Sequence, residues 1–150
     1  MPQSLVKNYI HIVFSTKHRV DFIDEKIEVE LFKYIASICK DFESPALQIG
    51  GTDNHIHILC LLSRKIALMK LVQEIKAHSS KWIKTKGEKY KAFYWQDGYG
   101  GFSVSRRNLF AMKNYIINQR KHHETVTFKS EFLDILEKHE MEYDEKYLWD

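Results

Sequence analysis

Residues 50–62 read Gly50-Gly51-Thr52-Asp53-Asn54-His55-Ile56-His57-Ile58-Leu59-Cys60-Leu61-Leu62. Gly50-Gly51 with Asp53-Asn54 marks a tight turn, because Asx side chains fold back on their own backbone and glycine relaxes the steric limits on φ. From His55 the run becomes β-branched and apolar. It is apolar on both faces after the histidines, the pattern of a strand inside a sheet. Residues 46–49 supply the short strand before the turn. Side chains alternate along a strand, so His55 and His57 share one face and Ile56 points to the other.

Working outward from this hairpin, residues 5–14 form another strand, with Val6, Tyr9, Ile10, Ile12, Val13 and Phe14. Asp24 caps a helix whose apolar residues Ile27, Leu31, Ile35 and Ile38 recur every three or four positions, and Pro45 ends that region. Beyond the hairpin, residues 68–83 form a second amphipathic helix with Leu68, Leu71, Ile75 and Trp82 toward a core. Lys70, Lys76, Lys81 and Lys84 stand among its polar positions. A loop with Gly87, Gly98, Gly100 and Gly101 and many aromatics leads to a fourth strand at residues 102–105. A third helix opens at Arg106 or Asn108 and runs to about residue 121, and residues 130–138 form a last helix. This βαββαβ order predicts an α+β, ferredoxin-like antiparallel sheet. Two helices pack on one face, and C-terminal helices carry Tyr115.

The 150 residues, 44% of them hydrophobic, fit one domain over residues 1–150, without repeat or linker. Residues 1–4 are too short and polar for a signal peptide, and no apolar run reaches the roughly 18 residues of a membrane span. With Cys39 and Cys60 as buried free thiols, a reducing cytoplasm is expected. The net charge of +3 is unevenly spread. Residues 61–123 carry 14 Lys/Arg against 3 Asp/Glu, whereas residues 124–150 carry 3 against 9. Such a basic middle suits a phosphate backbone, since each cation placed there releases a counterion, and it equally suits a solvated helix face with acidic partners.

Two imidazoles one residue apart on a strand can share a divalent cation, or simply pack as structural histidines. Asp53 and Asn54, just before them, can orient them. Tyr115 and Gln119 are four apart in the third helix and project from one side. That pair alone says little. Beside the histidines, two nitrogens and an amide oxygen can hold Mg²⁺ or Mn²⁺ with positions left for phosphate oxygens. A tyrosine hydroxyl attacking that phosphorus forms a covalent phosphotyrosine. With its ordinary pKa near about 10, the phenol needs such activation.

The sequence resembles the single-tyrosine HUH transposases of small bacterial and archaeal insertion sequences, the IS200-like transposases. The resemblance rests on His55-Ile56-His57 and an ordered series around it. That series comprises residues 8–17 (NYIHIVFSTK), 50–57 (GGTDNHIH), 76–82 (KAHSSKW), 95–99 (WQDGY), 102–105 (FSVS) and 115–119 (YIINQ), then His122-His123. It implies a metal-dependent DNA strand transferase in which Tyr115 attacks one strand, stays on the 5′ phosphate and frees a 3′ hydroxyl. His55, His57 and Gln119 would hold the metal. It further implies a homodimer acting on single-stranded DNA with hairpin ends, without ATP. The alternatives are a domesticated hairpin-binding protein without strand transfer, and a hydrolytic metalloenzyme that does not need Tyr115. Candidate DNA contacts are Arg106, Arg107, Lys76 and Lys81, with Trp95 and Tyr99 as stacking platforms or packed loop residues. His11 can reach the site or serve as a structural histidine. His122 and His123 are expected to cap the tyrosine helix.

Overall fold

The computed structural model describes residues 2–150; Met1, the first residue of the stretch read as too short for a leader, lies outside the described residues. Four strands, β1 (Asn8–Ser15), β2 (Ala46–Thr52), β3 (His55–Leu62) and β4 (Gly100–Ser103), form one sheet in the order β2-β3-β1-β4. All neighbouring pairs are antiparallel. β1 and β3 are therefore the central strands, and their register sets Val13 opposite His57, Phe14 opposite Ile56 and Ser15 opposite His55.

That register sorts the side chains by face. Ile10, Ile12 and Phe14 join Ile56, Ile58 and Cys60 in the main core. Helices α1 (Glu25–Asp41) and α2 (Leu68–Ile83) cover this face with Ile27, Leu31, Ile35, Ile38, Leu71, Val72, Ile75 and Ile83. Asp24 caps α1 as expected, accepting from the Ile27 N–H at 3.1 Å.

The opposite face carries His11, Val13, Ser15, His55 and His57, and is covered by the C-terminal helices. These are α3 (Leu109–Ile117), α4 (Gln119–His122), α5 (Phe128–Lys138) and α6 (Glu145–Leu148). Here Phe128, Phe132 and Leu136 of α5 pack on Val13 and Phe102. α3 lies directly on β2. A Cβ at Gly50 would stand 2.2 Å from the Ile116 carbonyl oxygen, so glycine is what admits the helix backbone.

The elements depart from expectation where local chemistry intervenes. The third helix is not continuous, but breaks at Asn118 (φ −91°, ψ 18°), whose side-chain amide donates to the Asn114 carbonyl at 2.9 Å. A side chain competing for a helical carbonyl is a common cause of such a break. α5 starts two residues early, at Phe128, because Thr127 accepts from the Ser130 N–H. β2 runs through both glycines to Thr52, leaving the turn to Asp53-Asn54. β1 begins at Asn8 rather than at residue 5, and Leu5 is exposed. Among the described residues, no helix is long and apolar enough to cross a membrane.

Candidate active site

His55 and His57 leave β3 on the same face, and both are fully buried. Neighbours fix each ring. His55 Nδ1 lies 2.8 Å from Asn54 Oδ1 and 3.0 Å from Thr52 Oγ1, which turns Nε2 inward. His57 Nδ1 lies 2.8 Å from His11 Nε2 across the strand pair, and the two rings stack at 5.0 Å. Asn54 therefore orients His55, and His11 orients His57. Asp53, read as a possible orienting group, instead pairs with Arg120, which also binds Glu28 and ties α4 to α1.

The break at Asn118 does not separate Tyr115 from Gln119. Both reach Oε2 of Glu131 on α5: the tyrosine hydroxyl donates to it, and the Gln119 amide donates at 2.9 Å. Donating toward the carboxylate fixes the orientation of the Gln119 amide, so its Oε1 faces His55 Nε2 at 2.9 Å. The other carboxylate oxygen, Oε1, lies 3.1 Å from His57 Nε2 and 3.5 Å from His55 Nε2. The residues read from the sequence thus converge, but on a carboxylate that the sequence reading missed. Glu131 is 3% exposed. The signal was present. Phe128, Glu131, Phe132 and Ile135 follow the three- and four-residue spacing of a buried stripe, and a glutamate on such a stripe calls for an explanation.

His122 and His123, expected to cap the tyrosine helix, turn their rings into the site instead. His123 bridges the Val126 carbonyl at 2.5 Å and Glu131 Oε1 at 3.1 Å. His122 Nε2 stands 3.6 Å from Glu131 Oε2. Carbonyls at a helix end attract cations generally, but a buried carboxylate is the stronger acceptor.

Burial sets the electrostatics. It lowers His55 to about 3, with the charge of His57 acting the same way, and lowers His11 to about 3. Both imidazoles are neutral at physiological pH, the form that offers a lone pair to a metal. Burial also raises the Tyr115 phenol, and the charge and hydrogen bond of Glu131 raise it further. Burial pushes Glu131 up, but hydrogen bonds from His123 and His57 hold it below the usual carboxylate range. The donor set suits a divalent cation: two inward imidazole nitrogens, an amide oxygen and an anionic oxygen. His11, Tyr115, His122, Glu131 and His139 line a cavity of about 470 Å³ beside this cluster.

The proposed DNA contacts divide. Lys76 is a correction: its ammonium donates to the carbonyls of Gln96, Asp97 and Gly98 at 2.7, 3.0 and 2.7 Å. Burial draws its pKa down to about 8, against the pull of Asp97. Lys76 thus pins the 96–98 loop and is not presented to phosphate. Trp95 is a second correction. Only 6% exposed, it donates to Ser79 Oγ at 2.9 Å and meets Phe14 and Phe93 edge-on, so it packs as core and is closed to a base. Tyr99 is half-buried beside Lys76. Arg106, Arg107 and Lys81 are exposed, and among the described residues none of them forms an ion pair.

Comparison with solved structures finds the same architecture. A candidate transposase from Deinococcus radiodurans R1 aligns with a TM-score of 0.62 at 17% identity, covering 79% of this chain and 98% of its own. A REP-associated tyrosine transposase solved bound to a REP hairpin aligns with a TM-score of 0.59 at 13% identity, covering 84% and 74%. Likeness at these identities establishes the fold. No curated protein sequence matches the chain. The family described as "Transposase IS200 like" matches residues 4–119, a span that takes in all four strands and ends on Gln119. By that match, which covers most of its length, the chain belongs to the IS200-like transposase family.

Proposed function

We propose that the chain, working as one unit over residues 1–150, cuts and rejoins single-stranded DNA at the ends of an insertion sequence. The observation that carries this reading is the convergence of His55, His57, Gln119 and the Tyr115 hydroxyl around the Glu131 carboxylate. His55, His57 and Gln119 would hold Mg²⁺ or Mn²⁺. Such a cation would supply charge to polarise a phosphate and to favour the phenolate over the phenol. Tyr115 is the nucleophile. Its oxygen forms a bond to phosphorus, the bond from phosphorus to the 3′ oxygen breaks, the phenol gives up its proton and the 3′ oxygen gains one. The 5′-phosphotyrosine keeps the energy of the broken bond, so rejoining needs no ATP.

Hairpin ends are the substrate this reading takes, in keeping with the REP hairpin bound by one structural relative. The exposed Arg106, Arg107 and Lys81 are the phosphate contacts, and Tyr99 is the remaining aromatic for an unpaired base. A homodimer in the cytoplasm of a bacterium or archaeon is the working form.

The test is incubation with Mn²⁺ or Mg²⁺ and single-stranded hairpin DNA taken from either side of the gene. The wild-type chain forms an adduct that survives denaturing electrophoresis, and Tyr115→Phe forms none. An adduct with Tyr115→Phe sinks the proposal. A second reading, a hairpin-binding protein without strand transfer, draws on the hold that Glu131 has on the phenol. It predicts tight hairpin binding with no adduct under either metal.

A further inference from the structure

Glu131 lies twelve residues beyond Gln119, where the family match ends. We propose that Glu131 is an anionic ligand of the same divalent cation, supplied to the histidine pair by α5; this rests on the reading that His55 and His57 hold such a cation.

Three observations support it. The first is position. One ligand atom from each of His55, His57 and Glu131 lies within 4.8 Å of the other two, and all three residues are buried. The second is charge. Among the described residues, the only basic side chains that reach the Glu131 carboxylate are histidines. Among the described residues no Lys or Arg comes within 4 Å of it, so no permanent positive charge pairs with it directly. An ion taken out of water without a full partner loses several kcal/mol. A divalent cation between the carboxylate and the imidazoles supplies that partner.

The third is construction. Glu131 does not lie on a loose surface helix. Phe128 and Phe132 flank it on the same stripe, 4% and 5% exposed, and seat α5 on Val13 and Phe102. Thr127 caps the first turn. Asp134 and Glu137, on the same helix, stay exposed. One carboxylate of the three has been built into the core, at the point where the histidines converge. Adding a hard anionic oxygen to two nitrogens also shifts the site toward Mn²⁺ and Mg²⁺.

The experiment uses the full chain and Mn²⁺ alone, without DNA. Calorimetric titration of wild type, Glu131→Gln and His57→Ala gives the affinities, and melting curves without metal check that each variant folds. Glu131→Gln is expected to weaken Mn²⁺ binding about 10–100-fold and to shrink the metal-induced rise in Tm. If Glu131→Gln binds like wild type while His57→Ala does not bind, Glu131 is no ligand and the histidine reading stands. If wild type itself fails to bind Mn²⁺, the histidine reading falls and the proposal with it. Should Glu131→Gln not fold, electron–nuclear double resonance on Mn²⁺-loaded wild type grown with ¹³C-labelled glutamate decides directly. A carboxylate carbon coupling supports coordination, and its absence overturns it.

Discussion

Ile56 and Ile58 leave β3 toward a core of twenty buried residues, whereas their neighbours His55 and His57 leave it toward an apolar cluster of five. The first face is sealed by two long amphipathic helices. The second is roofed by shorter helices and holds the buried polar network of Tyr115, Gln119, His123 and Glu131 with the two histidines. Both faces belong to the same strands, so one alternating pattern carries two tasks. The apolar face supplies most of the burial that holds the sheet in place. The polar face can then afford a cluster of buried titratable groups that contributes little to stability and holds reacting groups in place.

Truncating one phenylalanine on each face measures how unequal they are. Phe14 is fully buried in the large core, edge-on to Trp95 at 4.9 Å, with Lys76 Nζ 4.9 Å from its ring. Phe14→Ala is expected to destabilise by about 4–5 kcal/mol in denaturant unfolding, the upper part of the usual range for such cavities. Mn²⁺ affinity, measured where the variant is still folded, should not change. Phe132 is a buried member of the small cluster on a short helix, α5, whose shift can partly close the cavity, so Phe132→Ala is expected to cost about 2–3 kcal/mol. Because that shift moves Glu131, Mn²⁺ affinity should fall as well. Equal costs, or loss of metal binding with Phe14→Ala alone, would remove the distinction between the faces.

The same division explains what could be read from the sequence. Residues 68–83 emerge as a helix with those bounds in the structure, and Asp24 caps α1, because periodicity and capping are local signals. The facing of His55 and His57 is also local, since alternation alone decides it. What could not be read depends on partners far along the chain. Lys76 looks like any exposed lysine until the 96–98 carbonyls close around it, and Trp95 looks like a stacking platform until Phe14 and Ser79 claim it. Glu131 meets His57 across 74 residues, and no spacing rule reaches that far. Its place on an apolar stripe was the one local clue.

The smallest expected effect belongs to His11, which lies on the polar face but behaves in part like a core residue. It is 2% exposed, stacks on His57, and holds His57 Nδ1 through Nε2 at 2.8 Å. A neighbour that fixes the ring of a ligating histidine commonly tunes affinity through tautomer and orientation, without touching the metal. His11→Ala is therefore expected to weaken Mn²⁺ binding about tenfold, or about 1.4 kcal/mol. His11→Gln, which can still reach Nδ1 with a polar atom, should recover part of that loss. Calorimetric titration at fixed pH reads both. If His11→Ala destabilises the fold but leaves Mn²⁺ affinity untouched, His11 belongs with the packing residues, and the polar network ends at His57. If affinity falls and His11→Gln restores it, the functional network extends through β1 to the fourth strand, where Phe102 closes over the His11 ring at 6.1 Å.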